Sequence, residues 1–85
     1  MIKIGDTVKI SDLNSLQGQI GTVVAVNVKA VPCDDTPLGM YEFDSPRYAV
    51  ELSMTYNENG RQLHPDAGKI IYPYMKTHFY TVEAI

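Results

Sequence analysis

The amino-acid sequence predicts an all-β fold: a small antiparallel barrel of about five strands with one long central loop. Three observations carry this expectation. Several short stretches place apolar residues at every second position, turn residues separate them, and no stretch repeats its apolar residues every 3.6 positions as an amphipathic helix must. Eighty-five residues suffice for one domain, 1–85, and not for two cores.

The elements follow in order. "DTVKI" sets Val8 and Ile10 on one face and Thr7 and Lys9 on the other. "GQIGTVVAVNVKAV" is rich in β-branched residues, and alternation groups Ile20, Val24, Val26 and Val28 against Asn27 and Lys29. Gly18 and Gly21 fit a strand that bends or approaches its neighbour closely; no helix follows that would make them a phosphate cradle. "RYAVELSMTY" alternates most cleanly, with Tyr48, Val50, Leu52, Met54 and Tyr56 inward and Arg47, Ala49, Glu51, Ser53 and Thr55 on a wet face. "NENG" (57–60) reads as a hairpin turn, because Asn and Gly tolerate positive φ. "HPDAGKIIYP" (64–73) reads as a turn leading into a strand that Pro73 ends. "YMKTHF" suits a single helical or 3₁₀ turn, and "YTVEAI" a closing strand. The expected core is Val8, Ile10, Ile20, Val24, Val26, Val50, Leu52, Ile70 and Val82. Closing such a sheet removes its exposed edges.

Composition narrows the function classes. The net charge of −3 and seven scattered basic residues argue against general nucleic-acid binding, which needs clustered cations on phosphates. A local patch of Lys3, Lys9 and Lys29 across strands is the one basic arrangement the pattern permits. Cys33 stands alone, so no intrachain disulfide forms, and a cytoplasmic, reducing setting is the simplest expectation. The N-terminal "MIKIGDTVKI" lacks the apolar core of a secretory signal, and no run is long enough to span a membrane.

"GDTVKI", "GQIGTVVAV", "YAVEL" and the terminal "VEAI" together resemble the SH3-like small barrel families. Those families include KOW-type modules of ribosomal and transcription-elongation proteins, so the resemblance implies an RNA- or ribosome-associated role as one option. A narrower resemblance is to the plasmid-encoded type II dihydrofolate reductases, through "LQGQI" (16–20), "YAVE" (48–51), "HP" (64–65) and "IYP" (71–73). It implies a homotetramer whose central pore binds NADPH and dihydrofolate, with Lys69, Ile71 and Tyr72 as pore and cofactor residues. The sequence departs from that family at its pore: Ile70 stands at the glutamine, Ile10 at the pore lysine, and Leu16 at the tryptophan.

No local motif joins His64, His78, Cys33 or the carboxylates into an acid–base or nucleophilic set, so no catalytic residue is assigned. Nor do they show the paired spacing of a structural zinc site, and "DD" at 34–35 lacks the rest of a calcium loop, so no metal is expected. The strongest candidate is the segment "VPCDDTPLGMYEFDSP". It combines three prolines, four carboxylates and an apolar set, with no basic residue between Ala30 and Pro46. Proline restricts a loop in advance of binding, and aromatics beside charge make protein-binding hot spots. The reading is a non-enzymatic protein-interaction module, without cofactor, whose acidic, proline-bounded loop holds a partner through Asp34, Asp35, Met40, Tyr41, Glu42, Phe43 and Asp44. The partner presents a basic surface or is a second copy of the chain, and the outer face of "RYAVELS" adds contacts. The competing reading folds Met40, Tyr41 and Phe43 back over an open end of the barrel.

Overall fold

The computed structural model describes residues 1–12 and 17–85. Its strands are β1 (Thr7–Asp12), β2 (Gly18–Pro32), β3 (Met40–Asn57), β4 (Gly60–Leu63), β5 (Ile70–Ile71) and β6 (Tyr80–Ala84). They form one antiparallel sheet in the order β4-β3-β2-β1-β6, with β5 also on β3. The edge of β3 away from β2 is covered in pieces: by β4 along Met54–Asn57, by β5 along Val50–Glu51, and by a bridge from Tyr74 to Arg47. The expected barrel is open in its hydrogen bonding, since among the described residues no ladder joins β6 to β4 or β5. The sheet still curls. Tyr80 and Val82 of β6 and Ile71 of β5 all pack on the cluster of Val8, Ile10, Val23, Tyr48 and Val50. Among the described residues no helix is long and apolar enough to cross a membrane.

Five of the nine expected core residues are buried: Val8, Ile10, Ile20, Val50 and Leu52. Val26 and Val82 are half-buried against the cluster. Val24 and Ile70 are corrections, at 38% and 43% exposed. Both lie where apolar residues adjoin, so alternation alone cannot choose a face. Val8 pairs with Gly21, and Val23 with Val50, so the odd-numbered phase of β2 faces the core there. Ile20, opposite Lys9, is buried on the other face. An extra residue at Val24 then bulges the strand and brings Val26 inward. Likewise Ile71 pairs with core Val50 and Ile70 with exposed Glu51. Ala49, expected on the wet face, is also buried.

The glycines act as expected of close neighbours. A Cβ on Gly21 would lie 2.5 Å from the Glu51 carbonyl oxygen and 2.6 Å from a Val50 methyl. The turn expected at 57–60 is the β3–β4 connection, with Asn57 Oδ1 accepting from the Asn59 N–H at 2.8 Å and Gly60 at φ 115°. The helical turn expected in "YMKTHF" is absent. That segment runs in bends, with the Tyr74 N–H donating to Tyr80 Oη (2.6 Å), the Met75 N–H to the Pro46 carbonyl (3.3 Å) and the Phe79 N–H to Thr77 Oγ1 (3.1 Å). The Tyr74 and Met75 donors take partners outside the segment, and the Phe79 N–H, which a helical turn would pair with a backbone carbonyl, takes the Thr77 hydroxyl instead.

The largest correction concerns the central loop, which is the outer half of a long hairpin. Ala30, Val31 and Pro32 pair with Glu42, Tyr41 and Met40. The prolines permit this because of where they fall. Pro32 ends its strand, Pro37 sits in the turn, and Pro46 lies in an irregular stretch where β3 advances five residues against two of β2. The resulting arm suits the elongated shape, 45 × 25 × 22 Å.

Candidate functional site

The tip of the arm is a hydrogen-bonded turn. The Cys33 N–H donates to the Gly39 carbonyl at 2.9 Å and the Gly39 N–H to the Thr36 carbonyl at 3.0 Å. Thr36 Oγ1 reaches the Met40 carbonyl at 2.7 Å, and Gly39 supplies the positive φ (69°) that turns the chain back. Asp34, Asp35 and Leu38 are exposed on this turn, Leu38 at 85%. Met40, Tyr41, Glu42 and Asp44 are exposed along β3 as well, Tyr41 at 53%.

At the foot of the arm the aromatic residues meet. Tyr41 and Phe43 pack edge to face with centroids 5.6 Å apart, although they are neighbours in an irregular strand. Phe43 also lies 5.7 Å from Tyr72. The Arg47 guanidinium sits between two rings, 4.5 Å from the Phe43 centroid and 3.8 Å from that of Tyr74. One of its terminal nitrogens donates to the Tyr72 carbonyl at 3.1 Å, while its Nε is buried without a partner. The irregular stretch 43–46 produces this arrangement, by letting Phe43 reach Arg47. Beside it, a pocket of about 300 Å³ is lined by Asn27, Ser45, Pro46, Met75 and Lys76. There Asn27, at φ 55°, donates its N–H to Met75 Sδ at 3.3 Å.

Phe43 and Tyr72, which the sequence placed in two separate candidate sites, are therefore neighbours. The others are not gathered with them. Ile71 packs on the core, and Lys69 is exposed, with its carbonyl accepting from the Leu52 N–H at 2.9 Å. Asp34 and Asp35 stand at the far end of the arm. Arg47 and Tyr74 were missed as a pair. Their only signal is "FDSPR" and "YPY", whose contact spans 27 residues of chain and has no local signature.

His64 is structural. Its Nδ1 accepts from the Asp66 N–H at 2.9 Å, which leaves the proton on Nε2 to donate to Gln19 Oε1 at 3.1 Å. Further bonds from the His64 N–H to the Ser53 carbonyl and from the Gly68 N–H to the Leu52 carbonyl fasten this turn to β3. "HPDAGKIIYP" is thus a stitched turn and a two-residue strand. His78 is exposed near the last strand, and Cys33 is half-buried at the arm tip. Two members of the expected basic patch, Lys9 and Lys29, stand apart: Lys9 lies over the Tyr56 ring, 5.3 Å from its centroid. Lys29 stands nine residues further along β2 than Ile20, the partner of Lys9, roughly 30 Å at strand rise. Leu16, which carried part of the reductase resemblance, lies outside the described residues.

Among the described residues no group of three or more His, Cys, Asp or Glu side chains is placed to hold a metal ion. No family model, curated protein or solved structure matches the chain.

Proposed function

We propose that this protein is a non-enzymatic interaction module that holds a protein partner with a basic surface through its hairpin arm. The observation that carries the reading is the arm itself. A hydrogen-bonded hairpin keeps Leu38, Met40 and Tyr41 exposed together with the carboxylates of Asp34 and Asp35 on its tip and Glu42 and Asp44 on β3, with no basic residue from Val31 to Pro46. Apolar groups held at the surface cost the isolated chain hydrophobic stabilisation, a cost that a covering partner removes. Ordering the backbone in advance lowers the entropy lost on binding. The carboxylates steer approach, and Leu38 and Tyr41 supply buried area. A finer fold assignment accompanies this. The four-stranded meander with the last strand returned to the first supports an SH3-like topology, with the arm as an enlarged second connection.

The test places a photo-crosslinking residue at Tyr41, and in a control protein at Arg61, and exposes both to lysate. The expected result is an adduct from Tyr41 to a basic protein. It weakens as salt shortens the Debye length toward ~3 Å near 1 M, and it is lost in an Asp34→Asn, Asp35→Asn, Asp44→Asn variant. Equal adducts from both positions, or insensitivity to salt and to the triple variant, would refute the reading.

A further inference from the structure

We propose that the outer edge of β3 in the arm, from Met40 to Asp44, binds an extended peptide strand that alternates cationic and apolar residues. The inference rests on the arm being the binding element and adds how it binds and what it binds. The ladder registers Val31 with Tyr41, and the next bond toward the tip runs from the Cys33 N–H to the Gly39 carbonyl. Antiparallel pairs alternate between bonded and non-bonded. The pairs Cys33–Gly39 and Val31–Tyr41 are therefore the bonded ones, and the N–H and C=O of Glu42 point away from β2. Among the described residues no strand lies on that side of β3 between Met40 and Ser45. The same edge is already paired further along, by Tyr74 at Arg47 and by β5 at Val50–Glu51. An added strand would approach that run from the tip of the arm, since the bends at 76–79 share a cleft with Asp44 and Ser45 at its other end.

The two faces of this edge differ. Tyr41 and Phe43 share one side, and Glu42 the other, where Met40 also lies. A strand docked here sets alternate side chains against the rings and against the carboxylate. A second copy of the arm is a poor occupant, because antiparallel self-pairing about Glu42 sets like charges opposite each other. The charge that discourages self-pairing selects a cationic strand. The other edge of the arm, on β2, carries Lys29 and ends at Pro32, and it lacks both the carboxylates and the exposed ring.

The experiment titrates a nine-residue peptide alternating Lys with Val into the ¹⁵N-labelled full chain. Two further peptides carry N-methyl groups, on every Lys in one and on every Val in the other. The added strand runs antiparallel to β3, so cross-strand partners share a face and exchange their bonds, and the Lys opposite Glu42 is also the residue whose N–H faces the arm. The expected result is shifts confined to amides 38–47, retained with N-methyl-Val and weakened at least tenfold with N-methyl-Lys. Equal binding by both methylated peptides means contact by charge alone; it overturns strand addition and leaves the arm reading standing. Absence of binding by the unmethylated peptide overturns strand addition too, and the Tyr41 adduct then decides the arm reading separately. Binding with shifts confined to β1, β4 or β6 overturns both.

Discussion

Replacing Arg47 by Ala tests whether the foot of the arm is held as the geometry indicates. The substitution removes two ring contacts, at 4.5 and 3.8 Å, worth about 0.5–2 kcal/mol each for a half-buried guanidinium. It also removes a charged hydrogen bond to the Tyr72 carbonyl, about 1.5–3 kcal/mol. Against this, the buried Nε without a partner costs the parent about 1–3 kcal/mol, which the alanine variant regains. The net loss is about 1.5–4 kcal/mol. For a domain of this length that lowers Tm by roughly 6–30 °C. Circular dichroism melts read the global change, and amide exchange reads the local one. Protection at 40–46 should fall more than protection at Val8 or Val50. Arg47→Lys keeps the charge and loses the planar stack, so it should fall between parent and alanine. A Tm within about 2 °C of the parent, with arm protection unchanged, would refute the argument that Arg47 fastens the arm.

Three further substitutions probe the scaffold. Gly21→Ala should cost about 1–3 kcal/mol in urea unfolding, because its Cβ meets the Glu51 carbonyl and a Val50 methyl; parent-like stability would mean the strands part freely there. Asn27→Gly should be neutral or slightly stabilising in thermal melts, whereas Asn27→Val should lose about 1–2 kcal/mol at φ 55°; equal melts would remove the left-handed backbone as a constraint. His64→Ala should lose about 1–2 kcal/mol and raise exchange at Asp66 and Gly68, since both ring nitrogens are bonded; unchanged exchange at 64–69 would count against the stitched turn.

Local chemistry determined much of this molecule. Alternation over "DTVKI" and "RYAVEL" identified two strands and most of the buried residues. "NENG" marked its turn because the backbone demand is met by the residues in the turn itself. The acidic stretch was distinctive in composition, but composition did not separate Tyr41, which is exposed, from Phe43, which is half-buried against Tyr72 and Arg47. Tertiary structure decided three other matters. In "GTVVAV" and "KII" apolar neighbours suit either phase, so Val23 over Val24 and Ile71 over Ile70 were chosen by partners on distant strands, Val50 above all. The stretch around 29–46 became an arm because each of its strands supplies the other's hydrogen bonds, a pairing invisible along one strand. Arg47 found Phe43 and Tyr74 only once an irregular ladder and the return of the chain at Pro73 brought them together. A strand's sequence states its period; which face and which edge become occupied depends on what the rest of the chain places beside it.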